Sequence, residues 1–114
     1  MNFTKTKPQF VEELIFRVDP AYIDAYIEAD YETFGKTLSR YPGYLGGEVW
    51  ASKTEPGLLH NIIFWESEEA LRAIPKEVAA ECDARLNAIV GEGRITFVAA
   101  RHASEPFEKI AEVK

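Results

Sequence analysis

Asn61 and Trp65 lie four residues apart in the segment HNIIFWESEEALR, His60 to Arg72, where an apolar strand gives way to a helix. Side chains alternate across a strand, so this spacing puts the carboxamide and the indole on one face with Ile63. His60, Ile62 and Phe64 take the other face. A carboxamide in dry surroundings can donate a hydrogen bond to an oxygen that gathers charge, and an indole offers a flat wall for an aromatic molecule. Two more polar groups fall where apolar ones are expected. At about 100° per residue, Asp30 lies within the stripe Ile23, Tyr26, Ile27 and Phe34, and Arg85 at the shoulder of the stripe Val78, Cys82, Leu86 and Ile89. An isolated charge between helices and sheet is costly, so the pattern implies an ion pair or a wet cavity.

Plainer uses exist for each group. Asp30 and Arg85 could form a structural ion pair, or Arg85 could run its stem along the helix and end in water. Asn61 could bond a neighbouring backbone group, and Trp65 could be a core residue. His60 belongs at the opposite face or its rim. Cys82 reads as a small core residue, and Glu66, Glu68 and Glu69 as the solvated start of a capped helix.

The elements that must position these groups follow the order βαββαβ. Residues 10–18, FVEELIFRV, read as a strand, and Asp19-Pro20 is an N-cap followed by a first-turn proline. Residues 20–39 have helical periodicity and end at Tyr41-Pro42-Gly43-Tyr44. A strand over about 45–52 follows, with GG at 46–47 as a bulge or twist point, and KTEPG at 53–57 turns it into the strand LLHNIIFWE. Ser67 caps a short helix that Pro75 breaks or restarts, and helix continues to about Val90. GEG at 91–93 leads into the last strand, RITFVAARH. The tail SEPFEKIAEVK reads as a loose end or an arm laid on a partner subunit. The expected division is an N-terminal extension at 1–9, one domain at 10–102 and a tail at 103–114.

This order predicts an α+β, ferredoxin-like antiparallel sheet with both helices on one face. Periodicity leaves open which face meets the helices. Both faces carry apolar residues, Val11 and Ile15 against Phe10, Leu14, Phe16 and Val18 on the first strand. The natural cover for the second face is an identical sheet, so a homodimer through sheet faces is expected.

Composition narrows the function classes. The 114 residues, 46% hydrophobic, suit one domain with one core. Thirteen basic against nineteen acidic residues give a formal net charge of -6, and no Lys/Arg cluster appears, which argues against nucleic acid. No apolar run is long enough for a membrane span, and MNFTKTKPQF has no apolar stretch of a secretory signal. A single cysteine makes no internal disulfide, so a cytoplasmic location is expected. His60, His102 and Cys82 lack metal-ligand spacing, and no phosphate-cradling glycine loop is present, so no metal or cofactor is expected.

With those residues placed, the chain resembles the antibiotic biosynthesis monooxygenase superfamily of dimeric α+β barrels, over about Phe10 to His102. The marks are an amphipathic first helix ending in Pro42-Gly43-Tyr44 and the strand-to-helix junction Trp65-Glu66-Ser67. The run VDPAYIDAYIEAD…YPGYLGGEVW…FWES is similar to a subgroup of small bacterial proteins of unknown function. Within the superfamily, cofactor-independent enzymes oxidise anthrone-type polyketides to quinones with an Asn four residues before this Trp, an Arg some twenty after it and a Tyr between. The resemblance implies Asn61, Trp65 and Arg85 as catalytic, with Leu71 where the Tyr stands. Tyr22, Tyr26 or Tyr31 could supply a phenol instead. Asp30, Tyr26, Phe34 and Leu71 are the expected substrate contacts, with Asp30 orienting Arg85 or accepting a proton. The haem-degrading branch fits worse, because Ile74 and Ala84 occupy its Trp and His positions and no Asn lies on the first strand. The implied function is a cofactor-independent monooxygenase for a small aromatic or polyketide-like substrate. A non-catalytic dimeric barrel holding a small hydrophobic ligand is the alternative, with a muconolactone-type isomerase more distant.

Overall fold

The computed structural model describes residues 1–102 and 105–114. The first strand, β1 (Phe3–Val18), is longer than the sequence pattern predicts and includes most of the expected N-terminal extension. Asp19 then accepts the Ala21 N–H at 3.1 Å and opens a 3-10 turn, Pro20–Tyr22. The predicted single helix is a composite, with α1 (Ile23–Asp30), a π-helical turn (Tyr31–Gly35) and α2 (Lys36–Leu38). Strands β2 (Tyr44–Ala51) and β3 (Leu58–Trp65) form the hairpin. The Ser67 hydroxyl accepts the Ala70 N–H and starts α3 (Glu68–Arg72). Pro75, in extended conformation, separates α3 from α4 (Lys76–Val90). Strand β4 (Ile95–Arg101) follows, and the expected loose tail holds a fifth strand, β5 (Phe107–Val113). Ala103 and Ser104, at the start of that tail, lie outside the described residues.

All pairings are antiparallel and the sheet runs β2-β3-β1-β4, the ferredoxin-like order. β3 takes one edge of β1 over residues 10–17. The other edge is shared, with Glu13–Val18 on β4 and Phe3–Val11 on β5. The first part of β1 and β5 therefore form a two-stranded ribbon that continues beyond the last β1–β3 pair, Phe10 with Trp65.

Pairing register decides the faces. Asn61 stands opposite Leu14 and Val49, and Leu59 opposite Phe16 and Ala51. Leu59 packs with Val18, Tyr26, Ala29, Leu86 and Val90, so this face meets the helices. His60, Ile62 and Phe64 share the open face with Ile15, Glu13 and Trp50. There the Glu13 carboxylate bridges His60 Nδ1 at 3.4 Å and Arg101 at 3.2 Å, so that face combines charge with its apolar groups.

Two glycines allow this geometry. The β2–β3 register shifts between Tyr44 and Gly46, where Gly46 has φ +105°, the expected bulge. At the end of the hairpin loop, Gly57 has φ +86° and its carbonyl accepts the Val18 N–H at 2.8 Å. A Cβ at Gly57 would collide with the Val18 carbonyl oxygen. Gly57→Ala is therefore expected to destabilise the chain by roughly 2–4 kcal/mol, read as a lower urea midpoint at unchanged slope.

Candidate functional site

A cavity of about 260 Å³ lies between the helices and the β2 side of the sheet. Its apolar walls are Leu14 and Phe16 of β1, Phe34 of the π-helical turn, Leu38 of α2, Ile63 of β3 and Leu86 of α4. Asp30 ends α1 just before that turn, and Tyr31, Phe34 and Gly35 within it also line the space. Such wide turns interrupt the regular helical bonding and are frequent at functional sites. Here buried Thr33 helps hold the segment, its hydroxyl donating to the Ala29 carbonyl at 2.7 Å. Exposed Ile27, Tyr31, Val49 and Asp83 edge the mouth.

Asn61 reaches the cavity from β3 and is only 7% exposed. Its Nδ2 donates to the Tyr26 hydroxyl at 2.6 Å, while its Oδ1 has no partner among the described residues. A buried polar atom without a partner costs about 1–3 kcal/mol. Oδ1 is thus a standing acceptor at the wall. Tyr26 is 1% exposed, and burial first, then the nearby Asp30 and Asp83 carboxylates, push its phenol well above the usual range against the lowering effect of the Asn61 bond. It stays a neutral phenol at physiological pH. Asp30 is half-buried, and burial raises its carboxyl to about 6. Tyr44 across the cavity is also raised, by burial and then by Asp30.

Of the residues expected to meet, Asn61, Tyr26, Asp30 and Phe34 share this cavity, while Trp65, Arg85 and Leu71 do not line it. Trp65 sits one layer behind, 1% exposed, with its ring edge against Tyr44 at a centroid distance of 5.5 Å. Its Nε1 donates to Glu12 at 3.2 Å. Tyr44, rather than the indole, forms that wall. Leu71 is half-buried in α3, away from the cavity.

Arg85 is the main correction to the expected convergence. It is exposed and edges a separate recess with Thr37, Arg40, Tyr41 and Glu81. No ion pair joins it to Asp30 among the described residues. The reason lies in the phase of α4. Cys82, Leu86 and Val90 are its buried residues, while Ile89 is 60% exposed. At about 100° per residue that shift leaves Arg85 roughly 100° from the buried stripe and brings Asp83 to within about 60° of it. Asp83 is accordingly the α4 acid that lines the cavity.

Several groups were not anticipated. Glu12 stands opposite Ile63 on the helix-facing side of the sheet, where burial raises its carboxyl despite the Trp65 bond. Strand alternation with Phe10 and Leu14 carried that signal. Tyr44 and Asp83 had none, since a turn-flanking Tyr and a helical Asp are ordinary. Among the described residues, no group of three His, Cys, Asp or Glu side chains could hold a metal ion. No helix among the described residues is long and apolar enough to cross a membrane.

The model of the antibiotic biosynthesis monooxygenase family matches residues 10–74, more than half of the chain. The chain belongs to this family. Solved structures of other proteins share its fold. A monooxygenase of Streptomyces coelicolor, solved with the ligand nanaomycin D, is 27% identical with a TM-score of 0.63, covering 81% of this chain and 85% of that one. A cofactor-independent oxygenase from Streptomyces nogalater is 17% identical, with a TM-score of 0.57 and coverage of 94% and 96%. A conserved protein of unknown function from Bacteroides thetaiotaomicron is 18% identical, with a TM-score of 0.60 and coverage of 91% and 100%. No curated protein matches the chain.

Proposed function

We propose that the cavity is the active site of a cofactor-independent monooxygenase acting on a small aromatic, polyketide-like substrate. The observation that carries this reading is the meeting of the Asn61–Tyr26 pair and the raised Asp30 carboxyl in one largely apolar hollow. Family membership and the two oxygenases of like fold support it. About 260 Å³ is near the low end for small-molecule sites and suits a flat molecule of about two or three fused rings.

Asp30 is the general base. It takes a proton from an acidic ring carbon or phenol, giving an electron-rich anion. That anion passes one electron to dioxygen, and the radical pair combines to form a C–O bond. The peroxide regains the proton from Asp30, and loss of water leaves a carbonyl. The balance is one CH₂ and one O₂ giving one C=O and one H₂O. The substrate supplies the electrons, so no flavin or metal enters the scheme.

Asn61 meets the substrate oxygen in both protonation states. Its Oδ1 accepts from a neutral hydroxyl. A half-turn of the amide lets Tyr26 donate to Oδ1 and presents Nδ2–H to the oxygen as charge builds, where such a bond in dry surroundings counts most. The pair thus performs the task expected of Arg85.

The test is oxygen uptake by chelator-treated, flavin-free protein with an anthrone. Turnover above the spontaneous rate is expected, retained within about twofold in Arg85→Ala and lost in Asp30→Asn. Binding without uptake would instead support a ligand-holding barrel.

The functional unit is a homodimer through the open sheet face, where Trp50 is 64% and Phe107 54% exposed beside Ile15, Ile62 and Phe64. Light scattering is expected to give twice the chain mass, and Ile62→Lys to give the single-chain mass.

A further inference from the structure

We propose that this cavity admits uncharged and cationic ring systems and rejects anionic ones, so the substrate enters without a carboxylate. The inference rests on the cavity being the substrate site and concerns what that site selects. The charged residues lining it from the helix side are both acids, Asp30 at the end of α1 and Asp83 on α4. Glu48 of β2 also borders it, but its carboxylate lies on the open face of the sheet, where it accepts from Trp50 Nε1 at 3.0 Å. The other ionisable lining groups are the phenols Tyr26, Tyr31 and Tyr44, and no Lys, Arg or His is among the lining residues. Arg85, the cation expected there, faces a different recess.

Asn61 adds an independent observation. More than nine-tenths buried at the wall, it leaves Oδ1 without a partner, an acceptor that a donor-bearing molecule satisfies. A carboxylate brought here would meet two acids with no counter-charge and would shed its own water as well, and the N–H that a half-turn of Asn61 offers is uncharged. Rejection then comes from groups left unpaired or repelled, as well as from shape.

Proton transfer within the site fits this selection. A neutral substrate gives its proton to ionised Asp30, so the charge moves from carboxylate to substrate and the total in the cavity is unchanged. An anionic substrate would add a second negative charge at the moment of deprotonation. No cation is needed for the first case, and the lining supplies none for the second.

The experiment titrates the full-length protein with naphthol, naphthylmethylammonium and naphthoate, substituted at the same ring position, by calorimetry at about pH 7.5, where Asp30 is ionised. Naphthol and the ammonium compound are expected to bind, and naphthoate at least about tenfold more weakly. Asp83→Asn, at the exposed rim, should raise naphthoate affinity towards that of naphthol. Equal binding of naphthoate and naphthol would overturn the selection rule and leave the oxygenase reading standing. The expected ranking without oxygen uptake from an anthrone would overturn the oxygenase and keep the rule. Binding by none of the three probes would overturn both.

Discussion

Asp30→Asn is expected to lower kcat by at least about 100-fold while making the protein more stable. Asparagine keeps the shape and cannot take a proton. In the native protein kcat/KM should rise with pH through about 6 and level off above it, because the base form of Asp30 accumulates there. That limb should vanish in the variant. The stability effect has the opposite sense. Burial raises the folded carboxyl from 3.8 to about 6, so the folded state binds the proton more tightly than the unfolded chain does. Stability contributed by this group therefore falls as pH rises from about 4 to about 6, and the full cost persists above that. Near 1.4 kcal/mol for each tenfold difference in proton affinity, discounted because Asp30 is only half-buried, the cost is about 1–2 kcal/mol. Urea denaturation at neutral pH should show the variant more stable by that amount, with the difference gone below about pH 4. Full activity of Asp30→Asn at pH 8 would remove Asp30 from the mechanism.

This coupling of the proposed base to a stability cost is partly legible in the sequence. Asp30 stood out because helical periodicity placed a carboxylate within an apolar stripe, and strand alternation placed Asn61 in the helix-facing layer once the register was known. Both signals are local and geometric. Arg85 failed because α4 has apolar residues on more than one side. Cys82, Leu86 and Val90 define its buried stripe, but Val78 and Ile89 pulled the inferred centre towards Arg85. A drift of about 45° on a helix, invisible to a pattern, exchanges one charged residue for another of opposite sign. β5 was missed for a related reason. FEKIAEV has alternation too weak to announce a strand, and its pairing partner is the stretch Phe3–Val11, more than a hundred residues distant at its outer end. Local sequence carries no record of such a pairing. Strand alternation gives the face of Trp65 but not its depth, and the indole lies one layer behind the cavity wall. Tyr44, which stands between the indole and the cavity, comes from the neighbouring strand.

Asn61 separates binding from chemistry more sharply than any other position. Asn61→Ala should lower kcat/KM by about 100-fold or more, the usual effect of removing a donor to a developing oxyanion. It should also destabilise by about 1–2 kcal/mol, because the hydroxyl of buried Tyr26 loses its partner. Tyr26→Phe removes the group that orients the amide, so the two losses should be less than additive in the double variant. Asn61→Asp is the more telling substitution. It matches the amide in shape and retains an acceptor for the substrate hydroxyl and for Tyr26, yet its ionised form has no N–H to offer. A neutral phenolic ligand should still bind within several-fold of the native affinity, while kcat falls about as far as in Asn61→Ala. Calorimetry for affinity and single-turnover oxygen uptake for chemistry measure the two separately. Equal losses in both quantities would mean that Asn61 contributes only to holding the substrate. Unchanged turnover in Asn61→Asp would show that no hydrogen bond from this side chain stabilises the anion, and the charge would then have to be met by the phenol of Tyr44 across the cavity.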